Sequence, residues 1–293
     1  MARRNPPRLV SVVVPVLDEE PWFAVQLEAL AAQTYAGPWE LVIADNGSTD
    51  GSVRIAEEWL PRFQEARIVH APERRLASHA RNRGVAEARG DLLLFTDADD
   101  LAEPDWIEQM AAAALEGDVI AGEIGRERLN PPEIAAWHPV PPRQRALEGF
   151  GFLAYASGSN TGIWADVLHA LGGFDEERPA GEDIALSWRA QLAGYSLVFT
   201  PHAVVNERYR RSLRELGRQH FFYGTAGPQL YKSFRAHGLR RPRVRDSART
   251  YAWIAATAPA ALWSRKMRGR WTVEAALKAG AIVGSARRRV LFV

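Results

Sequence analysis

Five apolar, β-branched runs recur along the front of the chain: LVSVVVPV (9–16), WELVIAD (39–45), ARIVHA (66–71), DLLLFTDA (91–98) and DVIAGEI (118–124). Amphipathic stretches near 21–33, 51–60, 76–89 and 104–116 separate them. A strand that is apolar on both faces must be covered on both faces, and strands separated by helix-length segments pair in parallel. The pattern predicts an α/β protein with a Rossmann-like, mostly parallel central sheet and helices on both sides. Ligands of such sheets bind beyond the carboxyl ends of the strands. That is where this chain turns polar: Asp18 and Glu19 follow the first run, Asp45 and Asn46 the second, and Asp97, Asp99 and Asp100 the fourth.

Carboxylates crowded at a buried strand end repel one another unless something positive joins them. A D-x-D at that place can offer hard oxygen ligands to a divalent cation. Mg²⁺ or Mn²⁺ takes one or two carboxylates and completes its shell with substrate phosphates. An acidic turn lying in water would have the same letters. The position of Asp97 and Asp99 after LLLFT, with Asp45 at another strand end, favours the cation.

The 293 residues have an ordinary composition for a folded protein, 47% hydrophobic and 25% charged. No cysteine is present, which removes disulfides, thiolate metal sites and cysteine nucleophiles. The N-terminal MARRNPPRLVSVVVPV has basic residues before an apolar stretch, but the stretch is short, contains Pro15 and lacks a cleavage site, so it reads as a strand. No apolar run reaches the roughly 18–20 residues that cross a bilayer. These features predict a cytoplasmic protein. The net charge of +2 conceals an asymmetry: residues 206–293 hold 20 Lys and Arg against 4 Asp and Glu, and residues 1–205 hold 17 against 31. A basic tail of +16 behind a body of −14 predicts either an anionic partner or a solvated helical face docked on the body.

Beyond residue 125 the pattern changes. NPPEIAAWHPVPPRQ (130–144) predicts a mobile loop, SGSNTG (157–162) a turn, and the region from Trp164 a helix. In the helix that follows GGFDEERPAGED (172–183), Ile184, Trp188 and Leu192 have the spacing of a buried stripe. The last 45 or so residues are helix-like, with Trp253, Trp263 and Trp271 beside basic residues, a signature shared by helices that lie on a membrane and helices that pack on their own protein. Taken alone, Asp183 is an acid favoured at a helix start, Asp45 a turn residue, Arg81 a solvated helix charge and Asn160 a cap.

In order and spacing the chain resembles the inverting, GT-A-fold nucleotide-sugar glycosyltransferases of the family 2 type found in bacteria. The resemblance is carried by VSVVVPVLDEE (10–20), ELVIADNGSTDGS (40–52), ASHARNRGVAEARGDLLLFTDADD (77–100), SGSNTGIWADVLHALGGFDE (157–176) and GEDIALSWRAQLAG (181–194). It covers roughly residues 9–200. It implies a GT-A domain over 1–205 followed by a basic, mainly helical extension over 206–293. It further implies that Pro15, Leu17, Asp18 and Glu19 shape the base pocket, that Asp45 and Asn46 hydrogen-bond base or ribose, and that Arg81 lies by the nucleotide. Asp97 would contact ribose or sugar and share a Mg or Mn ion with Asp99, the chief ligand. Asn160 and Trp188 would line the substrate side. Asp183 would be the general base of a single displacement, with Glu182 beside it. The implied donor is a UDP, GDP or dTDP sugar, and the acceptor is a hydroxyl compound, which the basic tail would allow to be lipid-linked at the inner face of the membrane.

Three departures accompany the resemblance. Where many relatives carry a histidine near the metal, this chain has Asn206, with His202 four residues earlier; strict metal dependence is left open, and Arg208, Arg210 and Arg211 are clustered beside it. The second acid of the usual pair is Asn46. The Q-x-x-R-W block of polysaccharide synthases is missing, which favours a single sugar addition. A sugar-1-phosphate nucleotidyltransferase would need a glycine-rich basic loop where PVLDEE stands. A non-enzymatic membrane-surface or nucleic-acid binding protein remains a second class. For nucleic acid the acidic front half is a repulsive surface, so no nucleic-acid partner is expected.

Overall fold

The computed structural model describes residues 4–138 and 145–292. Strands β1 (Val10–Val16), β2 (Trp39–Asp45), β3 (Ala66–His70), β4 (Leu92–Phe95), β5 (Leu101–Ala102) and β6 (Val119–Gly125) are followed by two short strands, β7 (Leu147–Gly149) and β8 (Leu153–Tyr155), then β9 (Thr161–Trp164) and β10 (Leu197–Asn206). The helices are α1 (Phe23–Ala31), α2 (Ser52–Trp59), α3 (Ala77–Glu87), α4 (Trp106–Ala113), α5 (Pro132–Ala135), α6 (Ala165–Ala170), α7 (Glu182–Leu192), α8 (Leu213–Gly224), α9 (Ala226–Phe234), α10 (Val244–Trp263) and α11 (Arg265–Arg288).

The chain forms two compact units. The first comprises residues 1–125, 143–147 and 154–207, and the second 126–142, 148–153 and 208–293. In the first, eight strands run in the order β3-β2-β1-β4-β9-β6-β10-β5. Pairs β1–β2, β1–β4, β2–β3 and β6–β10 are parallel. The mixed character comes from β9, antiparallel to both β4 and β6, and from β5, antiparallel to β10. Only four residues long, TGIW lies within the stretch read as a turn and a helix start, and too few positions were there to show a strand period. In β10 the register slips between Thr200 and Val204, where Pro201 has no N–H for the ladder and His202 faces solvent.

Fully apolar strands were the strongest sequence signal, and their side chains make the core. Every residue of β4 is buried, as are Val10, Val12, Val13 and Val14 of β1 and Leu41, Val42 and Ile43 of β2. Helices lie on the sheet with Phe23, Leu27 and Leu30 of α1 and Trp106 and Ile107 of α4 turned inward. Buried Glu40, in β2, is one of the exceptions. Its carboxylate accepts from Ser11 Oγ at 2.7 Å, from Arg67 at 2.6 Å, and from the backbone and side chain of Arg89 at 2.6 and 2.9 Å.

The second unit is helical and basic, and its elements pack through glycines. A Cβ on Gly224 of α8 would strike the Leu277 carbonyl, and one on Gly280 of α11 the Phe221 carbonyl. Close backbone approach is available only to glycine at such a crossing. The proline-rich passage is more ordered than its composition suggested over its described residues: Pro132–Ala135 is a helical turn, and Ile134 and Trp137 are buried with Tyr209 and Leu216. The Asn130 side chain accepts the Tyr209 N–H at 2.8 Å. Residues 139–144 of that passage lie outside the described residues. The expected single boundary near 205 is thus replaced by an exchange of segments, because the passage after β6 contributes to the helical unit. Among the described residues, no helix is long and apolar enough to cross a membrane.

Burial alone would raise the Glu40 carboxyl, but the hydrogen bonds from Arg67, Arg89 and Ser11 outweigh it and hold the group at about 2, below its ordinary 4.5. A carboxylate depressed in this way contributes about 3 kcal/mol, present above pH 4.5 and lost as pH falls towards 2. Glu40→Gln is expected to lower the urea midpoint most at neutral pH, with the deficit shrinking below pH 4.5; denaturation at several pH values measures it.

Candidate active site

Register brings the acidic strand ends together. Val16 lies opposite Asp45 across β1–β2, and Val13 opposite Phe95 across β1–β4, so Asp18, Asp45 and Asp97 leave the same carboxyl edge of the sheet. At the centre is Arg81 of α3, only 3% exposed. Its Nη2 donates to Asp97 Oδ1 and its Nη1 to Glu182 Oε1, both at 2.8 Å. The guanidinium lies over the Phe174 ring, 5.6 Å from the centroid. Gly158 makes room, since a Cβ there would come within 2.9 Å of Nη2. A solvated helix charge was the alternative for Arg81, and its burial excludes it.

Helix α7 begins immediately after Gly181, whose φ of 74° is the left-handed conformation that glycine adopts without strain. Glu182 and Asp183 therefore fall in the first turn, where the unpaired N–H groups favour negative charge. Asp183 Oδ2 accepts the Gly158 N–H at 2.9 Å and Oδ1 the Ile184 N–H at 2.7 Å. Burial pushes the Asp183 carboxyl up from its ordinary value, opposed by these two bonds and by the charge on Arg81. Burial and then the charge on Asp183 push Glu182 up to about 7, against the pull of Arg81. Two carboxyls with raised affinity for protons thus share one guanidinium.

The loop after β4 is held from beneath by Gln26, which the sequence reading did not single out. Its Nε2 donates to Thr96 Oγ1 at 2.9 Å and to the Asp97 carbonyl at 3.2 Å, and its Oε1 accepts the Ala102 N–H at 3.0 Å. The signal was available: Gln26 occupies the stripe of Phe23, Leu27 and Leu30 and is buried with them. A polar residue on an apolar stripe needs partners.

At the β1 and β2 ends, Asp45 accepts the Ser48 N–H at 2.9 Å and meets His70 Nδ1 at 3.2 Å. Exposed Asp18 has the left-handed φ of 55° and is held by the Thr49 N–H and Arg75, both at 2.7 Å. Pro15, Leu17 and Glu19 are half-buried around it, with the Glu19 N–H donating to Ser52 Oγ at 2.9 Å. Asn46 is 2% exposed and spends its amide on the carbonyls of Ala71 and Arg74, at 2.7 and 2.6 Å. It fastens a loop instead of presenting its amide to a nucleotide.

Two other positions differ from expectation. Trp188 is wholly enclosed in the core. Asn160 is likewise enclosed: its Oδ1 accepts from Trp106 Nε1 at 2.8 Å and its Nδ2 donates to the carbonyls of Glu123 and Ala203 at 2.8 and 2.9 Å. A polar side chain with its bonds satisfied between α4, β6 and β10 positions the sheet and leaves no surface for a substrate. Asn206, in the usual histidine position, is 5% exposed and donates to the Leu101 carbonyl at 3.3 Å and to Glu103 Oε1 at 2.7 Å, which ties down β5.

Among the described residues no three His, Cys, Asp or Glu side chains converge as a metal cluster. Asp97 and Asp99, both half-buried, supply the two hard carboxylates that a Mg²⁺ or Mn²⁺ ion needs from protein when phosphates complete its shell. Arg81 takes Oδ1 of Asp97, and the donor set fits such an ion.

A mostly parallel sheet flanked by helices, with acidic residues at its carboxyl edge, is of the GT-A type. Comparison with known proteins agrees: the model for "Glycosyl transferase family 2" matches residues 11–172, and that for "Glycosyl transferase family group 2" matches residues 142–272. The chain belongs to glycosyl transferase family 2. It is 28% identical to the glycosyltransferase AglE of Haloferax volcanii over 76% of this chain and 74% of that protein. It is 26% identical to the pre-mycofactocin glycosyltransferase of Mycobacterium tuberculosis over 84% of this chain, but spans only 52% of that protein. Among solved structures, the mannosyltransferase PcManGT from Pyrobaculum calidifontis, in complex with GDP-Man and Mn²⁺, superposes with a TM-score of 0.65 at 23% identity, covering 96% of this chain and 87% of the other. S. aureus TarS 1-349 in complex with UDP-GlcNAc gives 0.57 at 16% identity, over 97% and 93%.

A carboxyl raised in the folded protein contributes stability below its unfolded value and loses it as pH rises through the folded value. For Glu182 that window runs from 4.5 to about 7. Glu182→Gln is therefore expected to gain stability relative to wild type as pH rises across this window; urea midpoints of the metal-free proteins at both ends measure it.

Proposed function

We propose that this transferase moves a single sugar from a nucleoside-diphosphate sugar of the UDP, GDP or dTDP type to an acceptor hydroxyl, with inversion at the anomeric carbon and Asp183 as general base. The observation that carries the reading is the Arg81 bridge, which joins the D-x-D carboxylate Asp97 and the first turn of α7 in one buried network. A base side and a leaving-group side must be held in fixed relation for an in-line displacement.

Asp183 takes the acceptor proton as the hydroxyl oxygen forms its bond to the anomeric carbon. The bond from that carbon to the diphosphate oxygen breaks on the opposite face, and the nucleoside diphosphate leaves with the electron pair. The two N–H bonds from Gly158 and Ile184 fix the Asp183 carboxylate and favour its charged form, while burial keeps it basic. Glu182 keeps Arg81 aligned. Asp99 and Asp97 would hold Mg²⁺ or Mn²⁺, which when bound offsets the charge that grows on the leaving diphosphate. Asp45, with Asp18 and Glu19 on the neighbouring loop, faces the nucleoside end. The Mn²⁺ and GDP-Man of PcManGT and the UDP-GlcNAc of TarS support a donor of this class.

Asp183→Asn preserves shape and removes the base. It is expected to lower kcat by about 10²–10⁴-fold with little change in donor binding. Steady-state kinetics with a nucleotide-sugar panel, alongside donor binding to the variant, tests this. Wild-type turnover in the variant would refute the assignment of the base.

A further inference from the structure

Helix α10 has no charged residue between Thr250 and Ser264. Along this stretch Ala252, Ala255, Ala256 and Ala260 face solvent, and the helix ends with Leu262 at 70% and Trp263 at 88% exposure. The corner that presents this pair is firmly built. Arg268 of α11 donates from Nε to the Ala261 carbonyl at 2.9 Å and from Nη2 to the Leu262 carbonyl at 2.7 Å, closing the end of α10. The Ser264 hydroxyl caps α11 through the Met267 N–H, and Trp271 Nε1 donates to the Ile254 carbonyl at 2.9 Å. Trp253 and Trp271 are half-buried within the helical unit, whereas Trp263 is turned out. A helix serving only to pack on its own protein would turn its largest apolar side chains the other way.

The apolar stretch is bounded by cations on both sides. Arg240, Arg241, Arg243 and Arg245 precede it, Arg265 and Lys266 follow, and all six are exposed. A tryptophan and a leucine beside exposed basic residues match the interface of an anionic bilayer, where apolar side chains enter the acyl boundary and cations meet headgroups. The charge balance selects among occupants. A second copy would bring its own basic segment, part of the +16 carried by residues 206–293, against this one. A nucleic acid would gain nothing from the uncharged centre of the stretch.

We propose that α10 and the α10–α11 corner dock on a bilayer surface containing anionic phospholipid, with Leu262 and Trp263 inserted and Arg265 and Lys266 on the headgroups. This docking is independent of the reaction assigned above, and its test requires no turnover.

The test is co-sedimentation of the whole chain with vesicles of phosphatidylcholine alone and of phosphatidylcholine mixed with phosphatidylglycerol. Binding is expected only to the anionic vesicles and weakens as salt rises. Leu262→Ala with Trp263→Ala is expected to lower the partition coefficient by about tenfold or more. Arg265→Ala with Lys266→Ala removes two surface cations, of which Lys266 is worth about fivefold and Arg265, paired with Glu133 at 3.2 Å, less. Circular dichroism of both variants confirms that these exposed changes leave the fold intact. The proposal is overturned by absence of binding to anionic vesicles, by equal binding to neutral ones, or by a Leu262/Trp263 variant that binds like wild type. Concentration-dependent dimerisation of wild type that this variant abolishes would assign the face to a second copy and overturn it too.

Discussion

The site depends on a single buried cation. Arg81 is out of water, and a guanidinium in that position is costly unless its donors find anions. Asp97 and Glu182 are those anions, and they come from elements far apart in sequence. One hydrogen-bond pair therefore fixes the β4 loop and the start of α7 on either side of α3. Gly158 contributes twice, by leaving space for the guanidinium and by giving its N–H to Asp183. The carboxylates outnumber the cation. Burial, with that surplus, raises the proton affinity of Glu182.

How much of this was legible follows from the kind of signal each part leaves. Apolar strands buried on both faces declare themselves in a short window: β1, β2, β3 and β6 fall within a residue of where the sequence put them, and β4 ends three residues earlier, at Phe95. The carboxyl-edge acids were legible for the same reason, since a strand end marks its own next residue. Strand β9 was not, because four residues carry no period and their pairing with β4 and β6 is fixed only by tertiary packing. Asn160 and Asn46, read as substrate and nucleotide contacts, and Asn206, read as a departure at the usual histidine position, share one feature. In each case the side-chain amide donates to backbone carbonyls or a carboxylate. Sequence spacing shows that a polar group exists but not which partner claims it.

Composition gave the C-terminal segment its charge, and the fold gives it a geometry. Glycines at the α8–α11 crossing let backbones touch. The large apolar groups of that unit divide. Trp137, Tyr209 and Leu216 are inside, whereas Leu262 and Trp263 are out at a capped corner. A positional contrast between tryptophans of one unit is invisible to composition.

The proposed reaction requires the acidic carboxyl edge to hold a nucleoside diphosphate together with a divalent ion. Calorimetric titration of UDP, GDP and dTDP, each with and without Mn²⁺, into wild type and Asp99→Ala tests it most directly. Tight binding of one diphosphate that requires Mn²⁺ and is lost in the variant is expected. Failure of all three nucleotides to bind wild type, with or without the ion, would contradict it.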